Sequence, residues 1–177
     1  MRLIGITGGV GAGKSTILEY IKDHYLCRIY LADEVAHVVK EPGQPCYKAL
    51  VELLGQEILG KDGQIHKGRM AEKIFRDENL LEQVNAIVHP AVQEFLLEKI
   101  REARQEGRTE LFFIEAALLI ECGYGDIVDE MWYIHSDVAV REKRLAQNRQ
   151  YSAQKITEIM KEQLCEEEFR KHCQVVI

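Results

Sequence analysis

Near the start of the chain, Gly8-Gly9-Val10-Gly11-Ala12-Gly13-Lys14-Ser15 matches the pattern G-x-x-x-x-G-K-[ST] in full. These residue types serve one chemistry, the grip on a polyphosphate. The glycines let the backbone curl so that successive N–H groups point inward at phosphate oxygens; a side chain at Gly11 or Gly13 would crowd that nest. Lys14 brings a point charge to the β- and γ-phosphates, and Ser15 offers a hydroxyl to Mg²⁺. Gly9, Ala12 and Thr16 complete the stretch expected to line the nucleotide. A helix opening at Lys14 would add the positive end of its dipole.

Two further groups fit phosphoryl transfer. Asp33 closes an apolar stretch, Leu26–Ala32, and so falls at the carboxyl edge of a strand, where ligands bind in parallel sheets. A carboxylate there can take or orient the proton of an acceptor hydroxyl; the alternative is a helix cap for the segment that follows. Arg141, Lys143, Arg144 and Arg149 cluster further on, with 141 and 144 on one helix face. Cations on a closing segment neutralise phosphate charge and exclude water. The plainer reading is a solvated helix face.

The elements that must position these groups follow from hydrophobic spacing. Residues 2–7 read as a buried strand feeding the glycine-rich turn, and Ile17, Leu18, Ile21 and Tyr25 give a helix from Lys14 to His24. Leu26–Ala32 reads as a second strand, Glu110–Ile114 as a third and Glu130–His135 as a fourth; Gln174–Ile177 reads as a fifth. Between the second and third lie 76 residues, 34–109, far more than the roughly 12 that a plain parallel crossover needs. Their patterns are helical: Tyr47, Leu50, Val51 and Leu54; Met70, Ile74 and Phe75; Val84, Ile87, Val88, Val92, Phe95 and Leu96. Val140–Arg149 and Ser152–Lys171 read as two more helices, Ser152 as an N-cap. The expected fold is α/β: a P-loop kinase-like, doubly wound, parallel five-stranded sheet. Its core is 1–33 with 110–177, its helical acceptor-binding insertion is 34–109, and its helical lid is about 140–152.

Composition narrows the class. With 177 residues, 23 basic and 29 acidic side chains, the formal net charge is −6, so no broad positive field attracts nucleic acid or a membrane surface. Five scattered cysteines without a Cys-x-x-Cys pair suit a reducing cytoplasm, and no apolar run reaches the roughly 18 residues of a spanning helix. The expectation is a soluble cytoplasmic protein, a monomer or small homo-oligomer, binding neither nucleic acid nor membrane. A guanine-specific switch would carry Asn-Lys-x-Asp and Asp-x-x-Gly; neither is present, and Glu115-Ala116-Ala117-Leu118 occupies the second place. A motor ATPase would need partner domains. What remains is a small-molecule kinase using ATP with Mg²⁺, or, as the alternative, a nucleotide-binding regulator without catalysis.

Residues 4–16, Ile-Gly-Ile-Thr-Gly-Gly-Val-Gly-Ala-Gly-Lys-Ser-Thr, resemble the opening of dephospho-CoA kinases. Further matches run in order to the end: Ala32-Asp33 with His37, Glu41-Pro42-Gly43, Asp62-Gly63, Phe75, His89-Pro90, Leu118-Leu119 with Glu121, Arg144 and Gln163. The resemblance implies phosphorylation of the ribose 3′-hydroxyl of dephospho-CoA by ATP·Mg²⁺, the last step of coenzyme A synthesis. It implies a catalytic role for Asp33, Lys14 and Arg144, nucleotide contacts from Arg144 and Arg149, and acceptor contacts from Asp33, His37, Lys67, Arg69, His89 and Leu118. The runner-up is a nucleoside or other metabolite kinase on the same core.

Several positions depart from the family pattern. His66-Lys67 stands where the family has Asp-Arg, so either Lys67 keeps the charge or Arg69 takes over, and lysine lacks the bidentate fork of arginine. Ala117 replaces a proline; Glu115 replaces a frequent aspartate and could still reach the metal through water. His89 either touches the acceptor or belongs to a helix-joining corner with Pro90 at a first helical position. His37 stands between ligand contact and packing. Relatives continue beyond Ile177 through an asparagine-containing turn at the adenine; a shortened or naturally short form should bind ATP less tightly and be less stable.

Overall fold

The computed structural model describes residues 1–75 and 77–177. Five strands, β1 (Arg2–Thr7), β2 (Cys27–Leu31), β3 (Leu111–Glu115), β4 (Glu130–Tyr133) and β5 (Val175–Val176), form one sheet in the order β2-β3-β1-β4-β5, with every neighbouring pair parallel. The helices are α1 (Lys14–His24), α2 (Ala32–Val38), α3 (Pro45–Leu54), α4 (Lys67–Ile74), α5 (Glu78–Glu106), α6 (Val138–Arg149), α7 (Ala153–Lys161) and α8 (Glu166–His172). This is the α/β architecture of the P-loop kinases.

β1 is central and carries neighbours on both edges, which is why it reads as a continuous apolar run rather than an alternation. One face of the sheet packs Ile4, Ile6 and Phe113 against Leu18 and Ile21 of α1, with Ala12 and Ile134 closing the cluster. On β4, Tyr133 stacks on Phe169 of α8 with ring centroids 4.7 Å apart. Burial of these side chains contributes roughly 1.5–3 kcal/mol each and fixes the strand end from which the glycine-rich turn departs.

The chain divides into two compact units, Met1–Leu31 with Glu106–Ile177, and Ala32–Gln105. The first holds the sheet. The second holds α2, α3, α4 and most of α5, whose buried stripe Val84, Val88, Val92, Leu96, Ile100 and Ala103 recurs at three- and four-residue steps.

Four expectations need correction. The second strand stops at Leu31, and Asp33 lies in the first turn of α2 rather than capping it from outside. His89-Pro90 makes no corner: α5 runs unbroken through Pro90. Pro90 and Ala86 are both exposed, so the carbonyl that loses its N–H donor is open to water. The fourth strand is shorter than expected and ends at Tyr133. The expected helix over Ser152–Lys171 is two helices, α7 and α8, joined by a turn at residues 162–165. Glu166, Glu167 and Glu168 would burden the middle of one helix; in the first turn of α8, with Arg170, Lys171 and His172 in its last, they match the dipole. Ser152 does cap α7, its hydroxyl accepting from Lys155 N–H at 3.3 Å. Among the described residues no helix is long and apolar enough to cross a membrane.

Candidate active site

The glycine-rich turn joins β1 to α1, with Gly13 in the left-handed region (φ 106°) at the N-cap and no side chain capping the helix. The opening N–H groups of α1 have no intrahelical acceptor and are available to an anion. Lys14 folds back over the turn: its ammonium donates to the Gly8 carbonyl at 2.8 Å and lies 3.4 Å from a Glu115 carboxylate oxygen at the end of β3. Ser15 and Thr16 are exposed on the first turn of α1. Ala12 is buried, its N–H donating to the Gly9 carbonyl at 3.1 Å.

Arg141 and Arg144, on one face of α6 as their spacing suggests, both donate to carbonyls of the glycine-rich turn. Arg144 donates to the carbonyls of Gly11 (3.1 Å) and Ala12 (3.0 Å) and to Ser136 Oγ (3.3 Å). Arg141 donates from Nε to the Val10 carbonyl (3.0 Å) and from Nη2 to Gln163 Oε1 (2.6 Å). Burial pushes the Arg141 guanidinium below its ordinary value, yet an arginine remains charged throughout the working range. The glycines make room for these contacts. A Cβ at Gly9 would lie 2.2 Å from Arg141 Nη2, and one at Gly11 would meet the Arg141 carbonyl at 3.1 Å and Leu145 Cγ at 3.2 Å. At these two positions the steric demand comes from α6. Arg149 sits exposed at the last residue of α6, five residues and roughly 7.5 Å of helix beyond Arg144. Leu118 is half exposed in the turn after β3, while Leu119 beside it is fully buried.

In the second unit a cavity of about 270 Å³ is lined by His37, Lys40, Lys67, Gln64, Glu41 and the apolar side chains around Met70. Burial, with Lys67 nearby, pushes the Lys40 ammonium below its ordinary value, and the Asp33 carboxylate pulls the other way. Asp33, His37, Lys40 and Lys67 therefore share one electrostatic neighbourhood. Lys40 escaped the sequence reading; it lies in the turn just after α2, where its own N–H donates to the His37 carbonyl at 3.2 Å. Lys67 and Arg69 part company. Lys67 faces the cavity, whereas the Arg69 guanidinium donates to the carbonyls of Leu59 and Glu57 beside the 3-10 turn Gln56–Ile58. His66 caps α4 by accepting from Arg69 N–H at 3.3 Å, which sets these two neighbours on diverging faces. His89 is exposed in the middle of α5.

Residues 2–177 match the family described as dephospho-CoA kinase. The chain belongs to the dephospho-CoA kinase family. It is 38% identical over 146 residues to the dephospho-CoA kinase of Moorella thermoacetica, covering 82% of this chain and 68% of that one. It is 31% identical over its whole length to the dephospho-CoA kinase of Dehalococcoides mccartyi, covering 88% of that protein. A crystal structure of a Thermus thermophilus protein superposes with a TM-score of 0.82 at 26% identity, covering 99% of this chain and 86% of that one. Membership of this kinase family makes ATP the phosphoryl donor. Among the described residues no three His, Cys, Asp or Glu side chains gather into a group that holds a metal. The exposed Ser15 hydroxyl is an oxygen donor of the kind Mg²⁺ accepts beside phosphate oxygens.

Proposed function

We propose that this protein transfers the γ-phosphoryl group of ATP to the ribose 3′-hydroxyl of dephospho-CoA, giving coenzyme A and ADP, the final step of coenzyme A synthesis. The observation that carries this reading is the family match over residues 2–177, laid on an intact phosphate loop at the β1–α1 junction.

The reaction needs little covalent help from protein; it needs alignment and charge. Lys14 and the opening N–H groups of α1 hold the β- and γ-phosphates; Ser15 would hold Mg²⁺, which would supply further positive charge against the phosphates. Glu115 tethers the Lys14 ammonium at the strand edge. Asp33 accepts the proton of the acceptor hydroxyl as that oxygen attacks the γ-phosphorus, and the β–γ bridging oxygen leaves on ADP. Gly9, Gly11, Ala12, Gly13 and Thr16 line the nucleotide. Arg144 acts on the transferring group through the loop it holds, and Arg149, exposed at the end of α6, meets nucleotide when the 140–152 lid closes. The unit Ala32–Gln105 receives the acceptor, whose anionic phosphates suit the His37, Lys40 and Lys67 lining; His89, Leu118 and Arg69 complete the candidate acceptor contacts, Arg69 as a support of the α4 N-terminus. The protein works in the cytoplasm, as a monomer or small homo-oligomer.

The test is ADP release from ATP·Mg²⁺ with and without dephospho-CoA, beside a panel of nucleosides and nucleotides. Release that depends on dephospho-CoA, with coenzyme A as product, is the expected result. Release with another acceptor alone would replace the substrate assignment.

A further inference from the structure

Both backbone groups of Val10 are taken by side chains from distant parts of the chain. Its N–H donates to Gln163 Oε1 at 3.2 Å, and its carbonyl accepts from Arg141 Nε at 3.0 Å. The same Gln163 oxygen accepts from Arg141 Nη2 at 2.6 Å, closing a three-cornered network. Arg144 takes the next two carbonyls, Gly11 and Ala12. Three successive carbonyls of the phosphate loop are thus bound on the α6 side.

The planar trans peptide gives this a consequence. In each peptide unit the C=O and the following N–H point in opposite directions. Holding the Val10 and Ala12 carbonyls toward α6 turns the N–H groups of Gly11 and Gly13 away from it. Those are two of the donors a phosphate needs. An isolated glycine-rich loop has many backbone states, and each must be given up when nucleotide binds. A loop already held by its carbonyls loses less.

We propose that Gln163, acting with Arg141, is a positioning residue for nucleotide binding: it orients the Gly9–Val10 peptide and locks the Arg141 guanidinium onto the next one. Gln163 lies in the turn between α7 and α8, so that turn becomes a mechanical link from the last two helices to the phosphate loop. The buried Gly9 supports this role, since any side chain there would occupy the space of the Arg141 guanidinium. The inference rests on the kinase reading for its meaning in turnover, but not for its test.

The test is ADP binding by titration calorimetry in the absence of acceptor, so it succeeds or fails independently of which acceptor the enzyme uses. Gln163→Leu keeps the size and removes the acceptor oxygen; Gln163→Glu keeps an oxygen that accepts from Val10 and pairs with Arg141. The Leu variant should weaken ADP binding about 10-fold, and the Glu variant should stay within about threefold of the wild-type protein. In turnover, the KM for ATP should rise in the Leu variant while that for dephospho-CoA holds. Should the Leu variant fail to fold, Gln163→Asn, the same amide one methylene short of both partners, takes its place. ADP binding unchanged in the Leu or Asn variant would overturn the proposal. So would equal weakening in the Glu and Leu variants, which would mean packing rather than the acceptor oxygen matters.

Discussion

The Lys14 ammonium lies 3.4 Å from the Glu115 carboxylate, with side-chain exposures of 13% and 15%. A carboxylate at the end of β3 thus holds the lysine at the turn, where the phosphates of a nucleotide would compete for the same ammonium. Partly buried pairs lie between the small worth of surface ion pairs and the several kcal/mol that follow breaking a buried one. Glu115→Ala should therefore cost about 1–3 kcal/mol of stability in the nucleotide-free protein. Saturating ADP should recover most of that loss, because its phosphates supply the missing negative charge. Thermal melts with and without ADP check this; a loss that ADP leaves untouched would assign Glu115 a purely structural part.

Asp33 provides the sharpest test of phosphoryl transfer. Asp33→Asn keeps the shape and removes the base, so kcat should fall by about 10²–10⁴-fold, the usual worth of general-base catalysis. ATP affinity should stay near that of the wild-type protein. Coupled ADP-release kinetics together with ATP titration separate the two effects. Weakened ATP binding with kcat unchanged would contradict the assignment.

The diverging faces of Lys67 and Arg69 predict different failures. Lys67→Ala should raise the KM for dephospho-CoA about 10-fold, the cost of one charge-assisted contact, without lowering the melting temperature. Arg69→Ala strips two carbonyls beside the 3-10 turn of their donor and should lower the melting temperature first. Steady-state kinetics beside a melt of each variant checks the pair. The reverse pattern would place the acceptor contact on Arg69.

Gly9→Ala should act at a distance. The new methyl would overlap the Arg141 guanidinium, and the arginine must leave the Val10 carbonyl to admit it. ADP affinity should drop about 10-fold or more, as in Gln163→Leu, and the two changes together should cost less than their sum because they break one network. A double-mutant cycle on ADP binding measures the shortfall; full additivity would show that Gly9 and Gln163 act separately.

Alkaline pH should unfold the protein in a defined window. Burial pushes the Cys173 thiol up from 9.0 to about 11 and the Tyr124 hydroxyl up from 10.0 to about 12. Both folded values exceed the unfolded ones. The neutral forms are therefore fully compatible with the fold below the unfolded values, and stability is lost as pH rises from 9.0 toward about 11 for Cys173 and from 10.0 toward about 12 for Tyr124. Each shift corresponds to stability on the order of a few kcal/mol at most. Urea midpoints across this range should fall, and Tyr124→Phe should flatten the part above pH 10.0. An unchanged slope in that variant would exclude the tyrosine as a cause.

Much of the molecule is written locally. The glycine run, the lysine and serine that close it, and the apolar stretches on either side determine a strand, a phosphate-binding turn and a helix, because all three depend on near neighbours in sequence. The five strands and the long helical insertion follow from hydrophobic spacing in the same way. Local pattern also misled, in short-range terms. Pro90 left a helix-joining corner open as one alternative, which the continuous buried stripe Val84, Val88 and Val92 removes. The charge run after Ser152 concealed a break at residues 162–165 that the helix dipole explains afterwards.

The partnerships of the site were decided by the tertiary structure alone. Spacing put Arg141 and Arg144 on one helix face, but their partners, the carbonyls of Val10, Gly11 and Ala12, lie more than 130 residues away in sequence. Gln163 is an ordinary polar residue until folding brings its side-chain oxygen to Val10. Lys67 and Arg69 are two positions apart and carry the same charge; the His66 cap and the turn of α4 send one to a cavity and the other to backbone carbonyls. A sequence states which groups can donate or accept. Where each lone pair finds its partner depends on long-range closure of the sheet and helices, which no local pattern records.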